Sequence, residues 1–569
     1  PPSGINTGLP PSETTKRLLP LTYPLEQSME TTATTAGYLP LILSIAPIIL
    51  LIWLMVKKNA VPSYIALPGT ALIIYLLQLF YFKNDFMLLN ANAAAGIVAT
   101  LTPITVIFGA IFFNRMMEAT GCLAVIRQWL GNINPNPIAQ LMIIGWAFAF
   151  MIEGASGFGT PAAIAAPILV GLGFKPMQVA VFALVMNSVP VSFGAVGTPT
   201  WFGFGELKNT GILSDADILQ IGKQTGIIHF IAGLVIPVIA LRFITSWAEI
   251  RKNLGYIYLS ILACTVPYVL LAQVNYEFPS LVGGGIGLLL SVALANKGIG
   301  LAKMTDSGER ATLTTGQVLK ALMPLGMLMI ILIVTRVQEL GLKGLLNDAT
   351  PLFTLHLGVC DFEVSRALIL SFKNIFGEAV NESYKTLYVP AFIPFVITVW
   401  LSLAIYRVSF RDSFVVWHTT LAQTIKPLLA LFGALVMVKF MMVGADGSMV
   451  KIIGNSFAQI AGDNWVYFAS YLGAIGAFFS GSNTVSNLTF GSIQHSIAQS
   501  VGLPGNSVLA LQSVGGAMGN MVCINNIIAV CSVLDVQNQE GAIIKKTVIP
   551  MAIYGVIAAL MAVLFIYVF

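Results

Sequence analysis

Two apolar stretches of the sequence contain small hydroxyl, amide and glycine residues where a membrane span would normally stay hydrophobic. The first, EGASGFGTP, begins at Glu153, and the second, SGSNTVSN, begins at Ser480. Hydroxyl and amide groups exchange hydrogen bonds without a permanent charge. They suit reversible binding of a small anion or ion, because a fixed cation would grip an anion too tightly. No zinc spacing, HExxH, G-x-S-x-G or Walker sequence accompanies them, so the residues predict binding and not an enzyme.

Composition indicates the environment of these stretches. The chain has 569 residues, of which 57% are hydrophobic and 9% are charged. Soluble proteins carry roughly 25% charged residues, so this chain cannot cover a water-facing surface. Many of its apolar runs approach the ~20 residues with which a helix crosses a bilayer. The sequence therefore predicts an all-α polytopic membrane protein that contacts the lipid bilayer.

Ten ordinary spans are predicted from the apolar runs. They lie near 38–56, 62–82, 92–114, 226–246, 254–274, 279–296, 319–335, 385–406, 419–444 and 548–569. Two longer regions, 138–201 and 464–534, are apolar but interrupted by Gly, Pro, Asn, Ser and Thr. Residues 1–37 are polar and rich in Thr and Pro, and are predicted to be a disordered N-terminal tail.

Lysine and arginine residues orient the spans, because short cytoplasmic loops are enriched in both. With the N-terminus outside, nearly all short-loop basic residues fall inside if 138–174 is a hairpin that enters from inside and 177–201 is a broken helix. The same threading makes 464–497 a hairpin that enters from outside and 505–534 a broken helix. It places both termini outside. The net charge of +5 then reflects topology and not nucleic-acid binding.

The two interrupted regions also resemble each other. GWAFAFMIEGASGFG begins at Gly145 and GAIGAFFSGSNTVSN at Gly473, while NSVPVSFGAVG from Asn187 is echoed by QSVGGAMGN from Gln512. The halves match at an offset of about 325 residues and enter the membrane from opposite sides. This predicts an inverted-topology repeat of about 12 transmembrane helices plus two re-entrant hairpins. Its parts are a first repeat (38–246), connecting helices with a basic loop (247–318) and a second repeat (319–569).

Paired broken helices that meet at mid-membrane are typical of secondary transporters. Non-helical backbone at that depth must be buried in protein or line a wet cavity, since lipid cannot satisfy its N–H and C=O groups. The free N–H groups at helix N-termini also favour anions. The alternative is that Gly, Ser and Thr serve only close helix packing. Two matched pairs in opposite orientation favour a transporter over that alternative.

Four long motifs, in order, resemble those of the lactate permease family of bacterial carboxylate transporters. They are EGASGFGTPAAIAAPILVGLGFKP (153–176), NSVPVSFGAVGTP (187–199), FFSGSNTVSNLTFG (478–491) and LQSVGGAMGNMVCINNIIAVC (511–531). The likeness implies a secondary active transporter of the plasma (inner) membrane with alternating access and no cofactor. It would import lactate and related 2-hydroxy monocarboxylates such as glycolate by proton symport. A homodimer is expected by analogy with two-hairpin carriers.

A site for such a substrate needs hydrogen-bond donors for the carboxylate. The candidate donors are hydroxyl and amide residues of the interrupted regions: Ser156, Thr160, Asn187, Ser482, Asn483, Thr484 and Gln512. For each hydroxyl the alternative is a bond back to its own helix. The backbone is expected to turn and approach the ligand at four glycines, Gly154, Gly157, Gly159 and Gly481.

Glu153 is the candidate proton-coupling group. It lies about 15 residues into the first hairpin, where an acid is costly, and an apolar environment favours the protonated form of a carboxyl. A structural acid, held by the Gly-rich loop or paired with a lysine, is the alternative. Lys439 could supply that pair, although its place near a span end favours a side chain that reaches toward the lipid–water interface.

The coupling ion stays open between H⁺ and Na⁺. Ser482, Asn483 and Thr484 also look like the Ser-Asn-Thr hairpin signature of sodium-coupled dicarboxylate carriers, in which those residues help to bind sodium. A sodium-coupled carrier of a related small carboxylate is therefore the alternative function. An anion channel is a further one, which transport against a gradient would exclude.

Overall fold

The computed structural model describes residues 38–57, 61–157, 160–303, 313–336, 340–389, 391–536 and 539–567. The predicted tail, 1–37, lies outside the described residues. Helices make up most of the rest, which confirms the predicted helical membrane class. Among the described residues, ten helices are long and apolar enough to cross a bilayer, and a broken pair bent by 62° makes an eleventh candidate.

The described residues of the first half of the chain form fifteen helices. They are α1 (Leu39–Val56), α2 (Ser63–Phe80), α3 (Phe86–Ala119), α4 (Cys122–Gly131), α5 (Pro137–Gln140), α6 (Ala149–Ser156), α7 (Thr160–Gly171), α8 (Pro176–Met186), α9 (Gly194–Trp201), α10 (Gly205–Asn209), α11 (Asp215–Gly233), α12 (Ile236–Ile244), α13 (Trp247–Lys252), α14 (Leu254–Ala272) and α15 (Pro279–Asn296). A π-helical segment, Leu141–Phe148, joins α5 to α6.

The second half begins with α16 (Thr315–Arg336) and α17 (Leu342–Leu346) and then forms four strands. The strands are β1 (Pro351–His356), β2 (Asp361–Ser365), β3 (Ile369–Lys373) and β4 (Glu382–Lys385). A π-helical segment (Ala391–Ile397) leads into α18 (Thr398–Ile405). The remaining helices are α19 (Phe410–Met442), α20 (Met449–Ala461), α21 (Trp465–Ser480), α22 (Asn483–Val501), α23 (Gly505–Gly519), α24 (Ile524–Val533) and α25 (Glu540–Tyr567).

Both interrupted regions fold as two antiparallel-packed helices followed by a broken helix. In the first, α6 and α7 pack together around Gly157, and in the second, α21 and α22 pack together around Gly481. Both glycines have positive φ, 60° and 74°, which glycine adopts without steric cost. The broken helices are α8 with α9, interrupted around Val191–Phe193, and α23 with α24, interrupted around Asn520–Val522.

Between the predicted spans 319–335 and 385–406, the described residues form a four-stranded antiparallel sheet in the order β1-β2-β3-β4. Polar and apolar residues alternate strictly only in β2, so the sequence pattern was weak. In β4 the buried residues are Glu382 and Tyr384. The sheet rests on α3, and the Tyr384 hydroxyl donates to Thr105 Oγ1 at 3.2 Å. The predicted span 385–406 accordingly begins later, at Ala391.

Glycine lets α6 lie directly against α15. A side chain at Gly154 would collide with the backbone of Ser280 and Leu281, and one at Gly284 would collide with the backbone of Met151. Small residues permit such close helix approach in membrane proteins. Gly154 was expected at the hairpin turn, but it lies inside α6 and its role is this packing. The contact fixes the position of the neighbouring Glu153.

Gly154→Ala is expected to push α6 away from α15, because the new methyl group meets backbone and not a flexible side chain. Overpacking of this kind costs about 1–3 kcal/mol, which a lowered melting temperature in detergent would report. Gly326→Ala in α16 is the matched control, since no atom lies near its added methyl group. A Gly154→Ala protein as stable as the Gly326→Ala protein would contradict the packing role.

Candidate functional site

All four helix breaks meet at one buried cavity. Gly157 comes from the first hairpin and Asn520 from the second broken helix. The second hairpin contributes Gly481–Thr484, and the first broken helix contributes Val191, Gly194, Ala195 and Pro199. Glu153 completes the lining. The accessible space is about 20 Å³, room for about one water molecule.

Glu153 is 2% exposed and its carboxylate is held by neutral groups. Its Oε2 accepts a hydrogen bond from Asn187 Nδ2 at 3.1 Å. Its Oε1 lies 2.5 Å from where a Cβ on Gly194 would be, so a side chain there would displace the carboxyl. Among the ion pairs of the described residues, none includes Glu153. The carboxyl therefore faces the cavity without a neutralising lysine or arginine.

The second hairpin presents a helix N-terminus to the same cavity. Ser482 caps α22 through its Oγ, which accepts from Val485 N at 3.4 Å, and Asn483 and Thr484 form the first turn. Asn483 Nδ2 donates to Ser192 Oγ at 3.2 Å and to Ser513 O at 3.0 Å. The first N–H groups of a helix lack partners within it and carry the positive end of its dipole. This corner of the cavity therefore favours an anion.

Strained backbone borders the cavity on the side of the first broken helix. Ala195, Val196 and Gly197 have φ values of 43°, 56° and 71° inside α9. A left-handed β-branched residue such as Val196 is rare, and strain of this kind gathers at functional sites. Thr198 Oγ1 donates to Ala195 O, and Trp201 Nε1 donates to Val196 O, which hold the kink in place.

The structure brings six of the predicted residues to the cavity: Glu153, Gly157, Gly481, Ser482, Asn483 and Thr484. Asn187 contributes indirectly, because its side chain donates a hydrogen bond to the Glu153 carboxylate. Ser156 does not join them, because its hydroxyl donates to Ile152 O at 3.0 Å in its own helix and faces a separate apolar cavity. Gly159 lies outside the described residues, and Thr160 begins α7.

Gln512 also stands away from the cavity lining. Its Nε2 donates to Ser486 Oγ at 3.0 Å, and its Oε1 accepts from Gln494 Nε2 at 3.0 Å. These bonds tie α23 to α22 within the second repeat. Asn520, at the end of the same motif, is the residue that reaches the cavity. The interruption between α23 and α24, which begins at Asn520, is the sequence signal that could have identified this residue.

Lys439 is not placed as predicted. Its side chain is 5% exposed, and Nζ lies 2.8 Å from Glu206 Oε1 and 3.0 Å from Glu382 Oε2. It therefore neither reaches toward a lipid interface nor pairs with Glu153. The three residues come from α19, α10 and β4, so this buried ion cluster joins the sheet to both helices.

The fold and the site together define a multi-pass membrane transporter, because broken helices enclose one buried polar cavity within a bundle of apolar helices. The comparison with known sequences gives the family. The chain belongs to the L-lactate permease family, whose sequence profile matches residues 40–569. This confirms the resemblance carried by the four motifs.

Two relatives show the range of the family. A provisionally named L-lactate permease of Haemophilus influenzae is 62% identical over 523 residues, which are 92% of this chain and 98% of that protein. The glycolate permease GlcA of Escherichia coli is 24% identical over 89% of this chain and 92% of its own. The solved structure of Neisseria gonorrhoeae MtrF covers 93% of this chain and 95% of its own at 13% identity, with a TM-score of 0.42.

Proposed function

We propose that this protein is a secondary active transporter that imports lactate and related 2-hydroxy monocarboxylates, such as glycolate, by proton symport. The observation that carries the proposal is the meeting of Glu153 and the N-terminus of α22 at one buried cavity. One supplies a proton-binding group and the other an anion-binding corner. The names of the relatives, lactate and glycolate permeases, support the substrate class.

The substrate carboxylate would bind at the first turn of α22. Backbone N–H groups there and the Thr484 hydroxyl offer donors without a fixed positive charge. Asn483 would join them if its amide turned from Ser192 and Ser513 toward the cavity. The cavity holds about 20 Å³, so a hydroxy acid enters only if the hairpin tips separate. Gly157 and Gly481 are the positions where the tips can move, since both already use backbone angles open to glycine. Alternating access follows if the two tips part on opposite sides in turn.

The Asn187 side chain can form a hydrogen bond with Glu153 whether or not Glu153 carries a proton. Asn187 Nδ2 donates to the carboxylate, while its buried Oδ1 has no hydrogen-bond partner among the residues that the structure describes. A rotated amide would offer that oxygen to the O–H of a protonated carboxyl. The same neighbour thus satisfies both protonation states of Glu153. A purely structural acid does not need such a partner.

The contacts at the bases of the hairpins support the proposed inverted topology. At the start of the first hairpin, Asn136 Nδ2 donates to Asn253 Oδ1 at 3.0 Å, in a loop that the charge pattern places inside. At the end of the second, Lys451 Nζ donates to Gln499 Oε1 at 3.0 Å, in a segment that the same pattern places outside. The two re-entrant hairpins would then open to opposite sides of the inner membrane, with both termini outside.

Uptake of labelled L-lactate into proteoliposomes tests the proposal. An imposed gradient of about one pH unit, acid outside and without sodium, should drive up to about tenfold accumulation if one proton accompanies each anion. Unlabelled D-lactate and glycolate should compete, while acetate, which lacks the hydroxyl, should compete poorly. Protein-free vesicles are the control. An absolute requirement for sodium would replace proton symport with the sodium-coupled alternative, and flux that never exceeds equilibrium would indicate a channel.

A further inference from the structure

His229 is completely buried near the C-terminal end of α11, and both of its ring nitrogens have partners. Nδ1 meets the Tyr554 hydroxyl of α25, and Nε2 lies 2.8 Å from Ser192 Oγ. The Tyr268 ring packs beside it, with 6.3 Å between the ring centres. Two phenols and one serine hydroxyl thus surround a histidine to which neither the sequence motifs nor the proposed transport steps assign a role.

Ser192 connects this histidine to the substrate cavity. Its Oγ accepts from Asn483 Nδ2 at 3.2 Å, and Asn483 lines the cavity. The same Oγ lies 3.1 Å from Ser513 O and 3.1 Å from Ser513 Oγ. Asn483 Nδ2 also donates to Ser513 O at 3.0 Å. A continuous hydrogen-bonded path, Tyr554–His229–Ser192–Asn483, therefore runs from α25 to the tip of the second hairpin.

The hydrogen bonds at Ser192 Oγ can be formed in two ways, which differ in where the protons lie. A serine hydroxyl donates one hydrogen bond and accepts two, yet Ser192 Oγ has four polar neighbours. If Nε2 of His229 carries the proton, Ser192 accepts from His229 and Asn483 and donates to Ser513 O. If Nε2 is unprotonated, Ser192 donates to it and accepts from Asn483 and from the Ser513 hydroxyl.

The two arrangements hold Asn483 differently. In the first, Ser192 and Asn483 both donate to the carbonyl oxygen of Ser513, and in the second Asn483 is the one of these two side chains that donates to it. A shared acceptor gives each of its donors a weaker bond. The proton on His229 therefore determines how firmly the Asn483 amide is held away from the cavity.

We propose that His229 is a positioning residue that acts through Ser192 to set the orientation of Asn483, and thereby the affinity for the carboxylate substrate. The inference rests on the proposed function. It does not make His229 a ligand, because the histidine is one residue removed from the cavity lining. The expected signature is a change in KM for lactate with Vmax preserved.

Asparagine and glutamine substitutions of His229 separate the two sides of the ring. In His229→Gln, the side-chain amide would reach the place of Nε2 and can donate to or accept from Ser192. In His229→Asn, the shorter side chain brings its amide only to the place of Nδ1, beside Tyr554. His229→Asn is therefore expected to raise KM about tenfold with Vmax changed less than about twofold. His229→Gln should keep KM within about threefold of wild type.

Ser192→Ala tests the connection and remains informative if His229→Asn does not fold. It should raise KM about as much as His229→Asn, and the double variant should be no worse than either single one, since both changes break one path. His495→Gln is the matched control, because His495 lies on α22 outside the path and should transport as wild type does.

The outcomes separate this inference from the proposed function. If wild-type protein neither binds nor transports lactate, the proposed function fails. If wild type transports lactate while His229→Asn and Ser192→Ala keep its KM, or if their effects on KM simply multiply in the double variant, the positioning role of His229 is overturned. Equal losses of Vmax in His229→Asn and His229→Gln would also overturn it.

Discussion

Glu153→Gln should abolish lactate accumulation driven by a pH gradient while leaving lactate counterflow. Glutamine keeps the size of the side chain, and its Oε1 can still accept from Asn187 Nδ2, as Glu153 Oε2 does at 3.1 Å. It cannot bind and release a proton. Under a gradient of about one pH unit, wild type should accumulate up to about tenfold and the variant should only equilibrate, a difference of about 1.4 kcal/mol in driving force.

Counterflow makes this result interpretable. Exchange of labelled for unlabelled lactate requires a folded protein that alternates between its two faces, but no net proton movement. A variant that exchanges without accumulating has lost coupling and not structure. Glu118→Gln is the matched control, because Glu118 lies at the end of α3 and is half-exposed beside Arg115. Wild-type accumulation by Glu153→Gln would refute the role of Glu153 as the coupling group.

Lys439→Met should destabilise the protein by about 3–5 kcal/mol, the cost typical of removing one partner from a buried ion pair. The change leaves Glu206 and Glu382 close together, each 2.8–3.0 Å from the lost ammonium and nearly inaccessible to water. A melting curve in detergent would report the loss. Lys252→Met is the control, since its pair with Glu249 is exposed and worth about 0.5 kcal/mol or less.

The pH dependence of this variant follows from Glu382, which lies in β4, outside the membrane spans. Burial raises the pKa of its carboxyl above the ordinary value, and the Lys439 ammonium opposes that rise. Without Lys439 the pKa rises further, so the folded variant binds a proton more tightly than the unfolded chain does. Its stability is then greatest in acid and falls as the pH rises through the folded pKa.

Melting temperatures at about pH 5 and about pH 8 test that sign. Lys439→Met should lose more stability than wild type between the two values. Adding Glu382→Gln should remove much of the extra loss, because the amide carries no charge at either pH. If the melting temperatures of Lys439→Met and wild type fall in parallel, Glu382 is not the titrating group.

Local sequence predicted most of the scaffold. The apolar runs predicted a helical membrane protein, and the interruptions at Gly157 and Gly481 coincide with breaks between α6 and α7 and between α21 and α22. Both signals depend on residues near each other in the chain. The sheet at 351–385 was not predicted. Its strands are short, and β1, β2 and β3 show no regular alternation of buried and exposed residues.

Long-range contacts limited the prediction of the site. Lys439 has one partner 233 positions away in Glu206, and its other partner, Glu382, lies on the unpredicted sheet. Hydropathy therefore gave no reason to bury its charge. Ser156 and Gln512 have the right chemistry and lie in the right motifs. Their side chains turn to helix carbonyls and to a second glutamine instead, because rotation around a helix decides which groups face a cavity.

The sequence by itself determined that this is a helical membrane protein with two matched breaks, and that Glu153 stands at one of them. Those properties follow from hydropathy, glycine geometry and the cost of a charge in lipid, all of which act locally. Only the tertiary structure decided that Glu153 faces Asn187, that Lys439 belongs to an ion cluster, and that His229 reaches Asn483 through Ser192. Hydrogen bonds and ion pairs are directional and short, so their partners are fixed only when distant helices pack.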